Sequence, residues 1–87
     1  MPNFRTAGIV LAATGAAHLI VPKPFEVITR PLFPNDTATW VKRNGVTELA
    51  IGAAVAVPET RRPGLAALAV YGGWLLQRAA ASRRPRD

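Results

Sequence analysis

The chain has 87 residues, no cysteine and a net charge of +6, with 11 Lys and Arg against five Asp and Glu. This length allows one domain and excludes a soluble enzyme with a large core and a deep pocket, and the lack of cysteine excludes disulfides, thiolate metal sites and cysteine nucleophiles. The basic residues flank apolar blocks without interleaved aromatics, which argues against a nucleic-acid partner and favours an anionic membrane surface.

The first apolar block is AGIVLAATGAAHLIV, residues 7–21, and it contains no Asp, Glu, Lys or Arg. It predicts a helix over about residues 5–21 that ends before Pro22, because proline lacks the N–H that a continuing helix needs. The only histidine of the chain, His18, lies one turn before this end. We expect no signal peptide, since no clear cleavage site precedes a mature domain and further apolar blocks follow.

A proline-rich connector, residues 22–36, follows the first block. Two interpretations of it remain open: an irregular loop, or a short helix from Pro24 to Arg30 that lies in a membrane interface. In the helical case Glu26 and Arg30 form an i,i+4 pair, and Phe25 lies on a different side of the helix.

Two further apolar blocks predict helices over about residues 37–57 and 63–78. Asn35 and Asp36 offer an N-cap to the earlier of these two helices. The remaining residues, 79–87, form a basic tail that is predicted to be a frayed helix end followed by a disordered stub.

The three predicted helices favour a membrane bundle over a small soluble bundle. Each uninterrupted apolar block falls short of the roughly 20 residues that cross a bilayer unaided, but side chains that reach the interface can extend it. The first and third blocks lack the polar face that a soluble helix of this length shows. We therefore expect an all-α fold: one membrane domain, residues 1–78, with three transmembrane helices and a short interfacial segment after the first.

Small residues on the predicted helices indicate close helix packing. In the second long helix two glycines share a face with Glu48, and glycines there let another helix backbone approach. The first and third long helices carry similar faces of small residues. The glycines predicted to pack are Gly8, Gly15, Gly45, Gly52 and Gly73.

Glu48 and His18 are the candidate polar pair. A carboxylate in the middle of a membrane helix costs about 2.5 to 3.5 kcal/mol on insertion scales, so it needs a partner or water. If the first two long helices are antiparallel neighbours, His18 and Glu48 meet and stabilise each other. Two alternatives stay open: His18 as an interfacial residue at a helix end, and Glu48 at headgroup level, neutralised by Arg43.

No pattern in the chain indicates catalysis or a metal site. There is no phosphate-binding glycine loop, no metal-ligand spacing and no nucleophile–base pair. Aromatic and basic side chains are predicted to anchor the bundle at the membrane interface, with a cation–π contact between Trp74 and Arg78. These anchors are Phe25, Trp40, Trp74 and Arg78.

A resemblance to a known family is carried by two stretches of the sequence: GAAHLIVPKPFEVITRPLFP from Gly15 and WVKRNGVTELAIGAAVAVPETRRPG from Trp40. Their Gly-x-x-His, Pro-x-x-Phe, Gly-Val-x-Glu and Pro-x-Thr-Arg-Arg motifs make the chain similar to the DoxX-like family of small bacterial membrane proteins. The resemblance implies a four-helix membrane bundle, of which this chain supplies three helices. It carries over as motif positions His18, Pro22, Phe25, Gly45 and Glu48.

These features together predict a non-catalytic accessory or structural subunit of a larger bacterial membrane complex, such as a respiratory one. The alternative, which the resemblance implies, is a quinone- or proton-linked redox component that uses His18 and Glu48, with quinone as the candidate cofactor. The expected partners are the lipid bilayer and either other membrane subunits or a second copy, but no nucleic acid. The expected location is the bacterial plasma membrane, crossed several times by the chain.

Overall fold

The computed structural model describes residues 3–83, and within them the protein is all-α. The four α-helices are α1 (Phe4–Ile20), α2 (Pro22–Thr29), α3 (Thr37–Ala56) and α4 (Arg61–Ser82), with a 3₁₀ turn at Pro58–Thr60. The connector therefore adds a helix to the three long ones, and α4 continues past its expected end. The rest of the predicted tail, residues 84–87, lies outside the described part of the chain.

Prolines cause the sharp bend between α1 and α2. Pro22 has no N–H to extend α1, which ends at Ile20, while Pro22 and Pro24 fit the first turn of α2, where no intrahelical donor is needed. The axis of α2 leaves that of α1 at an angle of 102°. The second helix begins two residues before its expected start and ends at Thr29, two residues before Pro31.

The start of α3 depends on a left-handed backbone at Asp36. This residue has φ of 56° and is the N-cap of α3, a conformation that Asp and Asn tolerate better than most residues. Its side chain makes no capping hydrogen bond. The Thr37 hydroxyl instead donates to the Phe33 carbonyl over 2.7 Å, which ties the loop to the first turn of α3.

The helix α3 lies at the centre of the fold and packs most extensively against α1, then against α4 and α2. A small apolar core forms where α3 meets α4, from Ile51, Val55 and Tyr71. Many large apolar side chains outside this core stay exposed to solvent. The fold thus buries one side of α3 well and leaves much apolar surface uncovered.

The expected multi-pass location in the plasma membrane is wrong. Among residues 3–83 no single helix is long and apolar enough to cross a bilayer, and α1 and α2 reach the required length and composition only as a strongly bent pair. The helix α1 is too short to cross alone, with 17 residues. The helix α3 carries three charged residues, Lys42, Arg43 and Glu48. In α4 the apolar run ends at Gln77 and Arg78. The all-α class is confirmed, but the three transmembrane helices are not supported.

Candidate functional site

The candidate polar pair is positioned by a close contact between α1 and α3 that depends on glycine. A Cβ atom at Gly8 would lie 2.5 Å from the backbone nitrogen of Ala56, far closer than real atoms approach. A Cβ atom at Gly15 or at Gly52 would likewise meet the backbone of the opposite helix. The two helices therefore run antiparallel at a separation that only glycine permits at these positions.

Gly73 differs from the other glycines that were predicted to pack. No atom lies within 4 Å of the position where its Cβ would stand, and the same holds for Gly72. Both lie in α4, on parts of the helix that face away from α3. The prediction of helix packing at Gly73 is wrong, because the glycine of α4 that meets α3 is Gly64, where an added Cβ would lie 2.9 Å from the Val55 nitrogen.

Gly45 makes room for His18, whose Cβ lies 2.6 Å from the position of an added Gly45 Cβ. The imidazole is buried, and its Nδ1 lies 2.7 Å from the carbonyl oxygen of Thr14. A carbonyl can only accept, so Nδ1 carries a hydrogen and donates it. Phe25 of α2 stacks on the imidazole, with ring centroids 3.8 Å apart.

The second ring nitrogen of His18, Nε2, lies 3.8 Å from Oε2 of Glu48. The same carboxylate oxygen accepts a hydrogen bond of 2.9 Å from the Tyr71 hydroxyl. Because Nδ1 donates its hydrogen to Thr14, Nε2 is the ring nitrogen that faces the carboxylate. The imidazole and the carboxylate thus form a largely buried polar pair between α1 and α3.

Tyr71 completes this polar cluster from α4. Burial, followed by the hydrogen bond to Glu48 and the negative charge of that group, raises the pKa of the Tyr71 phenol well above its usual range. The sequence analysis does not predict the contact of Tyr71 with Glu48. One signal was available: Glu48 and Tyr71 each interrupt an otherwise apolar helical block.

The predicted interface anchors pack inward rather than outward. Trp40 and Trp74 surround the buried ring of Phe33, with centroids 4.6 Å and 5.5 Å away. The Arg78 guanidinium carbon lies 4.1 Å from the centroid of the same ring, and its Nε and Nη2 donate to the Leu32 carbonyl over 3.2 Å and 3.0 Å. Phe33, which the sequence did not single out, is the centre of this aromatic cluster.

An apolar groove of about 750 Å³ lies open between α3 and α4. It continues past Trp40, Lys42 and Arg43 at one end and as far as Pro63 at the other. The Tyr71 ring forms part of its floor, so the polar cluster lies directly beneath the groove. The central lining is Val46, Thr47, Ala50, Ile51, Ala66, Ala67, Val70, Tyr71 and Trp74.

A family model described as a domain of unknown function (DUF8561) matches residues 7–84. The chain belongs to the DUF8561 family. The resemblance to the DoxX-like family is therefore wrong, and the four-helix membrane bundle that it implied finds no support in the helix lengths. No curated protein and no solved structure matches the chain.

In this DUF8561 chain, the Pro-x-Thr-Arg-Arg turn closes the end of α3. The Thr60 hydroxyl donates to the Ala54 carbonyl over 2.8 Å, and Nε of Arg61 donates to the Val55 carbonyl over 2.8 Å. These bonds satisfy carbonyls that the end of a helix leaves without a donor. The motif therefore has a structural explanation in the DUF8561 fold.

The described residues offer little for metal chemistry. Within residues 3–83 no group of three or more His, Asp or Glu side chains is arranged to hold a metal ion. What the DUF8561 chain presents is a largely buried polar cluster of His18, Glu48 and Tyr71 and, above it, an open apolar groove.

Proposed function

We propose that this protein is a non-catalytic helical subunit that binds a helix of a different protein in the groove between α3 and α4. The observation that supports this most strongly is the shape and lining of the groove. Its centre combines small side chains, such as Ala50 and Ala67, with larger apolar ones, such as Val46 and Val70. Small residues let a helix backbone approach, and the larger ones pack around it.

The length of the groove also suits a helix. From Trp40 to Ala54 it follows α3 for 14 residue steps, or about 21 Å at 1.5 Å per residue. A partner helix of about four turns would fill that length and would turn the α1–α3–α4 layer into a bundle of four long helices. The aromatic rings at one end are of the residue types that anchor protein interfaces.

Charge favours a different protein over a second copy. Lys42 and Arg43 stand at one end of the groove, and complementary interfaces place acidic groups opposite such a rim. The chain itself has a net charge of +6; of its few acids, Glu26 pairs with Arg30 and Glu48 is turned inward to His18. Two copies would therefore approach each other with like net charge.

A photo-crosslinking pair of variants tests this proposal. A photoreactive amino acid replaces Val70, which lines the groove and is 75% exposed, or Leu76, which lies outside it and is 73% exposed. The proposal expects the probe at position 70, but not at position 76, to label one helix of a defined protein.

A binding measurement with the two purified proteins follows. Val70→Glu should weaken their binding by about tenfold or more, because it places a charge in an apolar contact, and Leu76→Glu should not.

Three outcomes would overturn the proposal. Crosslinks from position 70 to a second copy alone would show self-association, and crosslinks to lipid alone would show that the groove is covered by acyl chains. Equal loss of binding in Val70→Glu and Leu76→Glu would show that the groove has no special role.

A proton-linked component is the second candidate, and the contact between the His18 imidazole and the Glu48 carboxylate favours it. Tyr71 joins that pair to the groove floor, so an occupant of the groove touches a group bonded to the pair. Calorimetry of the partner complex in buffers of different ionisation enthalpy counts the protons exchanged on binding. A proton-linked role requires a count that differs from zero and that Glu48→Gln removes; a count of zero in the unaltered protein would exclude it.

A further inference from the structure

The bend where α1 meets α2 carries a second exposed apolar surface, which we call the elbow and define as residues 19–28. Within these ten positions five large aliphatic side chains are exposed: Leu19, Ile20, Val21, Val27 and Ile28. The elbow lies on α1 and α2, whereas the groove is lined by α3 and α4. It is therefore a separate surface, independent of the proposed partner helix.

The short helix α2 is strongly amphipathic, unlike the three long helices. Its inner side carries Phe25, which stacks on His18, and the buried Thr29. Its outer side carries Val27 and Ile28, which are 69% and 71% exposed. An apolar stripe that faces away from the protein body is typical of helices that lie in a lipid interface.

The charges near this outer side are basic. Lys23 is exposed one turn before Val27, and Arg30 follows directly after the helix with its side chain mostly exposed. The one acid of α2, Glu26, lies 3.8 Å from Arg30 and is partly neutralised by it. Basic groups beside an apolar helical face match the anionic headgroups and acyl chains of a lipid surface.

The composition of the elbow distinguishes a lipid partner from a protein partner. Buried centres of protein interfaces are enriched in aromatic residues and Met, and the exposed apolar side chains of the elbow are all Leu, Ile or Val. The right-angle bend of 102° lets α2 lie flat while α1 stands away from the surface. Such contact requires no helix to cross a bilayer.

We infer that the elbow docks on an anionic lipid surface, with α2 in the plane of the headgroups and its Val27 and Ile28 side chains in the acyl boundary. Vesicle flotation of the full chain tests this directly. The probes are vesicles of phosphatidylcholine alone and vesicles that also contain phosphatidylglycerol. Binding to the anionic vesicles should exceed binding to the neutral ones and should weaken as salt is added.

Matched variants locate the contact. Val27→Asp/Ile28→Asp should lower the fraction bound to anionic vesicles by about tenfold or more, and Lys23→Gln should lower it less. The control, Val10→Asp/Leu76→Asp, changes two exposed side chains outside both the elbow and the groove and should bind as the unaltered protein does. Circular dichroism of each variant checks that the helices remain, which is expected because all four apolar positions face solvent.

The inference fails if the unaltered chain does not float with anionic vesicles. It also fails if the control pair loses as much binding as the elbow pair, because general stickiness would then explain the result. Equal binding to neutral and anionic vesicles would contradict the role of the basic groups. None of these results depends on whether the groove binds a partner helix.

Discussion

At the scale of single residues, the orientation of His18 follows from two neighbours on its own helix and on α3. The carbonyl of Thr14 fixes the hydrogen on Nδ1, and the absence of a side chain at Gly45 lets the ring lie against α3. Nε2 can then face only Glu48.

Nuclear magnetic resonance can read this arrangement, because His18 is the only histidine. We expect a slowly exchanging Nδ1–H, since this hydrogen is buried and bonded to Thr14. In Glu48→Gln the side-chain amide can donate to Nε2, so the hydrogen should stay on Nδ1 and Nε2 should have the nitrogen shift of an unprotonated acceptor. An unprotonated Nδ1 in the unaltered protein, or a protonated Nε2 in Glu48→Gln, would contradict the geometry.

Tyr71 provides a prediction for alkaline pH. Its pKa is raised in the folded protein above the value of about 10 found in unfolded chains. The stabilisation is therefore complete below pH of about 10 and is lost as pH rises further, with a slope of at most about 1.4 kcal/mol per pH unit. Tyr71→Phe should lack this slope and should lower the free energy of unfolding at neutral pH by about 1 kcal/mol.

Denaturant unfolding of both proteins from neutral to alkaline pH measures this difference. Tyr71 is the only tyrosine, so its ionisation is also visible by absorbance without interference from others. The lysines titrate in both proteins and cancel in the comparison. Parallel stability curves for Tyr71→Phe and the unaltered protein would show that neither burial nor Glu48 raises the pKa of the phenol.

At the scale of helices, glycine has opposite roles in two places. Gly52 in α3 faces the backbone of α1 with no room for a side chain, whereas Gly73 in α4 faces open space. At position 52 glycine permits a contact between helices, whereas at position 73 it only weakens α4 by its conformational freedom. The same substitution should therefore have opposite signs at the two positions.

We expect Gly52→Ala to lower the free energy of unfolding by about 1–3 kcal/mol or more, because the added methyl forces α1 and α3 apart. Gly73→Ala should raise the free energy of unfolding by about 0.5–1 kcal/mol, because alanine is the better helix former and meets no neighbour. Thermal and denaturant unfolding of the two variants measure both values. Destabilisation by Gly73→Ala would mean that α4 is packed at that position after all.

The helices themselves were largely predictable from apolar blocks and prolines. Residues 37–57 and 5–21 nearly coincide with α3 and α1, because an apolar block of this length that ends before a proline is most often a helix. Helix order also indicated that His18 and Glu48 could meet. The bonds from Arg78 to Leu32 and from Tyr71 to Glu48 were not predictable, since they depend on how the loop and α4 return to α3.

The membrane assignment failed for a related reason. Apolar blocks of Ala and Gly have the same appearance whether they face lipid or another helix, and the glycines of α1 and α3 face each other. The charges within α3 and at the end of α4 break the apolar runs. The length of each helix and its charges, rather than its average composition, thus decide whether it can cross a bilayer.

At the scale of the whole molecule, α1 and α3 form a close pair, and α4 is attached mainly at its two ends. Arg61 bonds the carbonyls at the end of α3, and Arg78 bonds the loop before α3 through Leu32. Between these points α4 and α3 share a small core and one side-chain hydrogen bond, from Tyr71 to Glu48. Local opening of α4 should therefore cost less free energy than opening of the α1–α3 pair.

Hydrogen exchange of Arg78→Met tests this division. Loss of two hydrogen bonds to Leu32 and of the contact with Phe33 should speed amide exchange about tenfold in residues 30–36 and in the second half of α4. Exchange in α1 and in the facing part of α3 should not change, because their contact does not involve Arg78. The control is Arg62→Met, which removes an exposed arginine of the same helix and should leave all regions unchanged.

A uniform increase of exchange in every helix would contradict this picture, since it would mean that α4 opens only when the whole fold does. The distinction bears on the proposed groove, of which α4 is one wall. If α4 opens separately, Arg78→Met should also weaken the binding of a partner helix, although Arg78 lies outside the central lining. The reason is that α3 and α4, the two walls of the groove, would then spend less time at the spacing that the partner helix needs. The partner helix should in turn slow exchange in α4 more than in α1, because binding favours the closed state.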